Sequence, residues 1–412
     1  MGPRRRRDLD AQDRRPHGER LRPRRTDRQA LSARPGGSLR IVFLDSWLRD
    51  RARGSGSAVA IAGLARGLEA LGHQVETLRP DRALPSLGLT RAWFNLTLRR
   101  RLRDVPADLV VGFDLDGGLL ARGTPDVPYA VALKGVMADE ARFERGLDLA
   151  RFRALLPLER RNARRADVVL CTSGYSRARA IEAYGLEPDR VRVVPEGIDA
   201  SAWEPVERAA RARPGPSPDG GVILNVARQY RRKNTELLIR ALPRVRAARP
   251  RCELRVVGDG PELPRLRSLA ARLGLGDSVR FPGPLAGLPA VQAAFLEADV
   301  FCLPSRQEGF GIVLLEAMAA RLPIVAARAG AVPEVAPEGV ASLLVEPDDA
   351  DCLADAILRA LSESPLRARL ADGGASRWRA FDWSVVARRF LEAVPVPAAG
   401  RPSRTSAGCS SA

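Results

Sequence analysis

Glu316 lies inside the run IVLLEAMAA, where every neighbour is apolar and a carboxylate has little access to water. Buried without a partner, such a group is strongly destabilising or takes up a proton. A ligand's hydroxyls or a basic side chain would remove that penalty. Glu308 stands eight positions earlier, in a loop with Gly309 and Gly311. Glycines there let backbone N–H groups approach a phosphate or a sugar, and the start of the following helix adds partial positive charge. Taken bare, the same two residues also read as a loop glutamate and a core glutamate held by an arginine. The elements around them are regular. Val300 to Leu303 reads as a buried strand, Ile312 to Ala320 as a helix, and Pro323 to Ala327 as a second strand, which is the order of a parallel α/β unit.

With its flanks, PSRQEGFG and LPIVAARAGAVPEV, the stretch Glu308-GFGIVLL-Glu316 resembles the donor-site signature of the retaining glycosyltransferases of family 4, the group 1 glycosyl transferases. The resemblance implies a GT-B fold, two Rossmann-like doubly wound α/β domains facing a central cleft. It also implies transfer of a sugar from a nucleoside-diphosphate sugar to an acceptor hydroxyl with retention, the nucleotide sugar being a substrate and no cofactor being needed. Glu316 would then bind the ribose hydroxyls and Glu308 would act near the transferred sugar. The N–H groups around Phe310 and Gly311 would bind sugar hydroxyls or phosphate.

Three further segments match that pattern. NVARQYRRKN sets Arg228 at a strand end and Lys233 five residues on, resembling the family's pair of cations on the donor diphosphate. A guanidinium can bind phosphate bidentately, and an ammonium is a focused charge. Arg231 and Arg232 read as solvent-facing. VVGDGPE brings Gly258, Asp259 and Gly260 to a sheet edge where the family seats base and ribose, although by itself it is a tight turn. Gly54, Ser55, Gly56 and Ser57 follow the first strand and precede a helix, a geometry suited to a phosphate or a sugar hydroxyl and equally to a plain turn.

The chain departs from the family at one place. Members often carry an active-site histidine after a central strand of the first domain. Here the residues are ALKGVMADE, with Lys134 at the strand end, and the two histidines are His17 and His73. His73, in LGHQVE, reads as a packing residue. Lys134 is expected to take over contact with the sugar or phosphate, the alternative being a surface lysine. No Asp-x-Asp pair is placed to bridge a metal to a diphosphate in the second domain, the nearest being Asp114 to Asp116 in the first. The expected mechanism is therefore metal-independent. Lysine is rare, with Lys134 and Lys233 the sole examples among 67 basic residues.

Strand-like runs at LRIVFLD, HQVETLRP, ADLVVGF, PYAVALK, ADVVLCTS and VRVVPEG predict a first domain over 38–200. A Pro/Gly-rich segment, 201–221, reads as a linker, and GVILNVAR, RCELRVVGDG and SVRFPGPL begin a second domain over 222–382. Residues 383–395 are expected to cross back to the first domain, and 396–412 to be a tail. The length of 412 residues suits two domains. Five cysteines without CxxC spacing speak against a disulfide framework or a zinc site, and no apolar run is long enough for a membrane span, so a cytoplasmic setting is expected. Of the formal charge of +18, +8 falls in residues 1–40. That arm, 1–37, is expected to be disordered and could touch an anionic membrane. It holds no aromatic residue to stack on a base, which weighs against nucleic acid. A sugar-nucleotide epimerase or phosphorylase of the same fold is the runner-up reading, and a basic nucleic-acid-binding protein a distant third.

Overall fold

The computed structural model describes residues 37–46, 56–82, 84, 86–103, 105–120 and 127–395. Residues 1–36 and 396–412, and with them both expected tails, lie outside the described residues. The described residues from Ser38 onward form one compact unit.

Twelve strands form two parallel sheets of six among the described residues. The first holds β1 (Arg40–Leu44), β2 (Gln74–Leu78), β3 (Leu109–Phe113), β4 (Tyr129–Leu133), β5 (Val168–Cys171) and β6 (Val191–Val193), in the order β2-β1-β3-β4-β5-β6. The second holds β7 (Gly220–Val226), β8 (Arg251–Val257), β9 (Val279–Gly283), β10 (Val300–Leu303), β11 (Ile324–Ala327) and β12 (Ser342–Val345), ordered β12-β11-β10-β7-β8-β9. Helices cover both faces of each sheet, so central strands such as LVVGF, YAVAL and VFCL are buried throughout and apolar at every position. Each sheet reverses its strand order beside its first strand, and the loops at the C-terminal strand ends of the two sheets meet at the cleft.

The predicted linker is corrected. Residues Ala200–Arg211 form a helix capped by Asp199, and Trp203 and Val206 are buried in the core of the second domain. Pro205 and the many charged residues hide an apolar stripe, Trp203–Val206–Ala210, at helical spacing. The chain therefore crosses between domains near Ile198, whose N–H donates to the Phe381 carbonyl while the Trp383 N–H donates to the Ile198 carbonyl (2.9 and 3.2 Å). The helix Trp383–Ala393 then packs on the first-domain helix Gly56–Ala70. Its Trp383 indole occupies a seat that a Cβ on Gly63 or Gly197 would enter, at 2.1 and 2.6 Å.

Candidate active site

The loop after β7 carries the second domain's cations. The Lys233 ammonium lies 2.9 and 2.7 Å from the two carboxylate oxygens of Glu308, and both side chains are largely buried. Arg228 and Arg232 place their guanidinium groups against one ring, that of Tyr230, at 5.6 and 5.0 Å. Gly258 and Gly260 weld the next loop onto this one. A Cβ on Gly258 would fall 2.1 Å from the Ala227 carbonyl oxygen, and one on Gly260 2.6 Å from that of Gln229. The Gln229 N–H also donates to the Asp259 carbonyl (2.9 Å), so these glycines bring two backbones together beside Arg228.

Gly311, at φ +85°, starts the helix Ile312–Ala319, and no side chain caps it. The first-turn N–H groups of a helix have no intrahelical partner. Among the described residues, no hydrogen bond engages the N–H of Phe310 or Gly311. The loop thus presents a row of open donors with the helix dipole behind them. One turn on, Glu316 is half-buried, and no hydrogen bond or ion pair among the described residues reaches its carboxylate. Burial alone pushes its pKa up to about 7. The arginine-held core glutamate is not what the structure contains.

Glu308 is fixed from behind by Gly330 and Ala331, which lie in the flank LPIVAARAGAVPEV. The Ala331 N–H donates to the Glu308 carbonyl (2.8 Å), and Gly330, at φ +57°, would carry a Cβ 2.2 Å from that oxygen. Only glycine fits there. Gly330→Ala should therefore move Glu308 and lower stability by about 1–3 kcal/mol. Denaturant titration of the purified variant would check this.

In the first domain, Lys134 follows β4 into the cleft. Its ammonium lies 3.0 Å from both carboxylate oxygens of Glu196, with side chains 9% and 6% exposed, and over the Phe113 ring. Each of the two lysines in the chain therefore grips one glutamate through both oxygens. Glu196 stands in PEG at a strand end, and no local pattern there marks it as a partner of Lys134. Asp114, at φ +53°, accepts the Lys134 N–H (2.8 Å), and burial is the main reason its pKa rises to about 6. Both oxygens of Asp116 accept hydrogen bonds from Ser46, and one also from Asn95, which ties β3 to β1. His73 Nδ1 accepts the Leu39 N–H (3.2 Å), and burial lowers its pKa, so it packs as a neutral ring. Gly54 and Ser55 lie outside the described residues, and Gly56 and Ser57 open the helix Gly56–Ala70.

Among the described residues, three sets of contacts cross the cleft. Arg232 is not solvent-facing as its sequence context suggests. It reaches Glu140 and Glu144 of the first domain at 3.2 and 3.6 Å with its side chain 14% exposed. The Glu334 carboxylate accepts the N–H groups of Gly174 and Tyr175 (2.8 and 2.7 Å), and the Gly309 carbonyl accepts hydroxyls from Thr172, Ser173 and Ser176.

Residues 206–377 match the family model described as glycosyl transferases group 1, and residues 54–202 match glycosyltransferase family 4. The chain belongs to the group 1 glycosyl transferases. Among its relatives is the D-inositol 3-phosphate glycosyltransferase of Stackebrandtia nassauensis, 36% identical over 52% of this chain and 50% of that protein. Another is the GDP-mannose-dependent alpha-(1-6)-phosphatidylinositol monomannoside mannosyltransferase of Mycolicibacterium smegmatis, 35% identical over 56% of this chain and 63% of that protein. The chain thus spans about half to two thirds of the length of these curated relatives. The solved sucrose-phosphate synthase of Thermosynechococcus elongatus shares the GT-B fold, with a TM-score of 0.72 at 22% identity over 86% of this chain and 98% of that one. In this group 1 chain, Lys233, Glu308, the Gly311 helix start and Glu316 occupy one wall of the cleft, and Lys134 with Glu196 the other.

Proposed function

We propose that the protein is a retaining, metal-independent glycosyltransferase that moves a sugar from a nucleoside-diphosphate sugar to an acceptor hydroxyl. The observation that carries the reading is Glu316, a carboxylate held in an apolar wall with no countercharge. Two ribose hydroxyls donating to it would supply what the protein does not. The departing diphosphate builds charge on its β-phosphate, and Lys233, Arg228 and the N–H groups at Phe310 and Gly311 are the groups that would stabilise it. Lys233 is held by Glu308. A donor phosphate taking the ammonium would release Glu308 toward the sugar. Retention rests on the family likeness. The acceptor would enter at the strand ends of the first domain, near Lys134 and Asp114. We propose a cytoplasmic reaction, with the arginine-rich residues 1–37 drawn to an anionic membrane surface. Among the described residues no helix is long and apolar enough to cross a membrane.

Calorimetry and thermal shift with a panel of nucleotide sugars, UDP-glucose and GDP-mannose among them, test this with EDTA present. A ligand at a hundred times its Kd should add about 2.7 kcal/mol of stability. Losing one charge-assisted contact costs about 1.5–3 kcal/mol, so Arg228→Ala should weaken binding tenfold or more. A requirement for magnesium or manganese would overturn the metal-free mechanism. Turnover of donor with no acceptor present would favour the epimerase reading.

A further inference from the structure

The Gly309 carbonyl receives three hydroxyls from the other domain, Thr172 Oγ1 at 3.1 Å, Ser173 Oγ at 2.7 Å and Ser176 Oγ at 3.0 Å. Three donors on one carbonyl exceed its two lone pairs, and all three come from a single segment, Thr-Ser-Gly-Tyr-Ser. Ser173 is itself fixed, because its Oγ caps the helix Gly174–Tyr184 by accepting the Ser176 N–H (3.0 Å). The Glu334 carboxylate sits on the Gly174 and Tyr175 N–H groups of that same helix start, where the helix dipole favours it. Glu334 and Glu308 belong to one block, joined through Gly330 and Ala331. The first domain therefore holds this block at two points beside Glu308.

The chemistry of the held atom matters more than the number of bonds. The Gly309 carbonyl and the Phe310 N–H are two ends of one planar peptide, and in a trans peptide they point in opposite directions. Fixing the carbonyl toward the first domain aims the N–H away from it. That N–H has no partner among the described residues. The Phe310 side chain is buried against Phe381, with ring centroids 5.7 Å apart, which anchors the peptide on its other side. Hydrogen bonds to the carbonyl also polarise the amide and strengthen its N–H as a donor.

We propose that Thr172, Ser173 and Ser176 are positioning residues, which aim and polarise the Phe310 N–H at the donor through the Gly309–Phe310 peptide when the two domains close. This rests on the nucleotide-sugar reading of the site. It makes the first domain, which would hold the acceptor, a determinant of how well the second stabilises the leaving group.

The dipeptide Gly-Phe occurs twice in the chain, at Gly112–Phe113 and Gly309–Phe310. Full-length protein labelled with carbonyl-carbon-13 glycine and nitrogen-15 phenylalanine should therefore give two correlated amide resonances. The double variant Thr172→Val, Ser176→Ala removes two hydroxyls and leaves the Ser173 cap in place. It should displace the Phe310 resonance, leave that of Phe113 as a control for intact folding, and lower kcat at least tenfold with donor KM changed less than threefold. Thr172→Ser, which keeps its hydroxyl, should leave the Phe310 resonance where the wild type has it. An unmoved Phe310 resonance in the double variant would overturn the proposal, as would a moved one with kcat at the wild-type level. Should the wild type turn over no nucleotide sugar, the donor reading fails alone, because the resonance still reports whether the hydroxyls set this amide.

Discussion

Glu316→Ala should lose about a hundredfold in nucleotide-sugar affinity, and the empty protein should melt no lower than wild type. The two effects have one cause. Two hydrogen bonds from ribose hydroxyls to a carboxylate contribute about 3 kcal/mol together, and they form only with ligand present. Without ligand the carboxylate is a liability, its folded pKa pushed up to about 7 from an ordinary 4.5 by burial. The sign follows from linkage: a group protonated more readily in the folded state stabilises below its unfolded pKa, and that contribution is lost as pH rises through the folded one. Wild type should therefore lose stability relative to Glu316→Gln between about pH 4.5 and 7. Binding should run the other way. Donor hydroxyls favour the charged form, so affinity falls as pH drops below about 7, with a proton released on binding. A nucleotide sugar is the right probe, since its bridging phosphates do not titrate in this range. Calorimetry in buffers of different ionisation enthalpy would count the proton. A Glu316→Ala protein that binds normally, or melts far below wild type without ligand, would return this residue to the core.

Glu316 was legible in the sequence because its surroundings are local: nine consecutive residues suffice to show a carboxylate in an apolar helix. The central strands were legible for the same reason, since parallel strands covered on both faces are continuous apolar runs, as in LVVGF, YAVAL and VFCL. The partnerships were not. Lys134 and Glu196 are 62 residues apart, Arg232 and Glu140 are 92, and Thr172 and Gly309 are 137. Nothing in a window of sequence pairs a lysine with one glutamate rather than another. Arg232, inside a run of arginines, looks like surface charge until the fold brings a second domain against it. The helix Ala200–Arg211 escaped notice because Pro205 and its charged residues imitate a linker, while its partner core lies far along the chain. Glycines 258 and 260 were read for their nearness to a ligand, and their first physical duty is the contact between two backbones.

Lys134→Ala should lower stability and turnover together. From sequence alone the expectation would be lost turnover with little else changed, but the structure gives the ammonium a buried partner. Removing one member of a buried ion pair leaves the other uncompensated, at about 3–5 kcal/mol, and Glu196 is 6% exposed at its side chain. A single variant therefore cannot separate structure from catalysis. The pair Lys134→Met with Glu196→Gln can, because two neutral side chains of similar volume replace the two charges and neither is left unpaired. Its melting temperature should return to within a few degrees of wild type, with nucleotide-sugar binding through the second domain nearly unchanged. Turnover should stay at least a hundredfold down, about 3 kcal/mol of lost transition-state stabilisation, if the ammonium acts on the sugar or its leaving phosphate once the domains close. Lys134→Arg should keep a carboxylate partner in Glu196 yet restore turnover poorly, because the larger planar guanidinium cannot take the position of a compact ammonium in so buried a site. Wild-type turnover in the neutral pair would make Lys134 and Glu196 a fold-holding bridge, and would leave the first domain to contribute through the hydroxyls on Gly309.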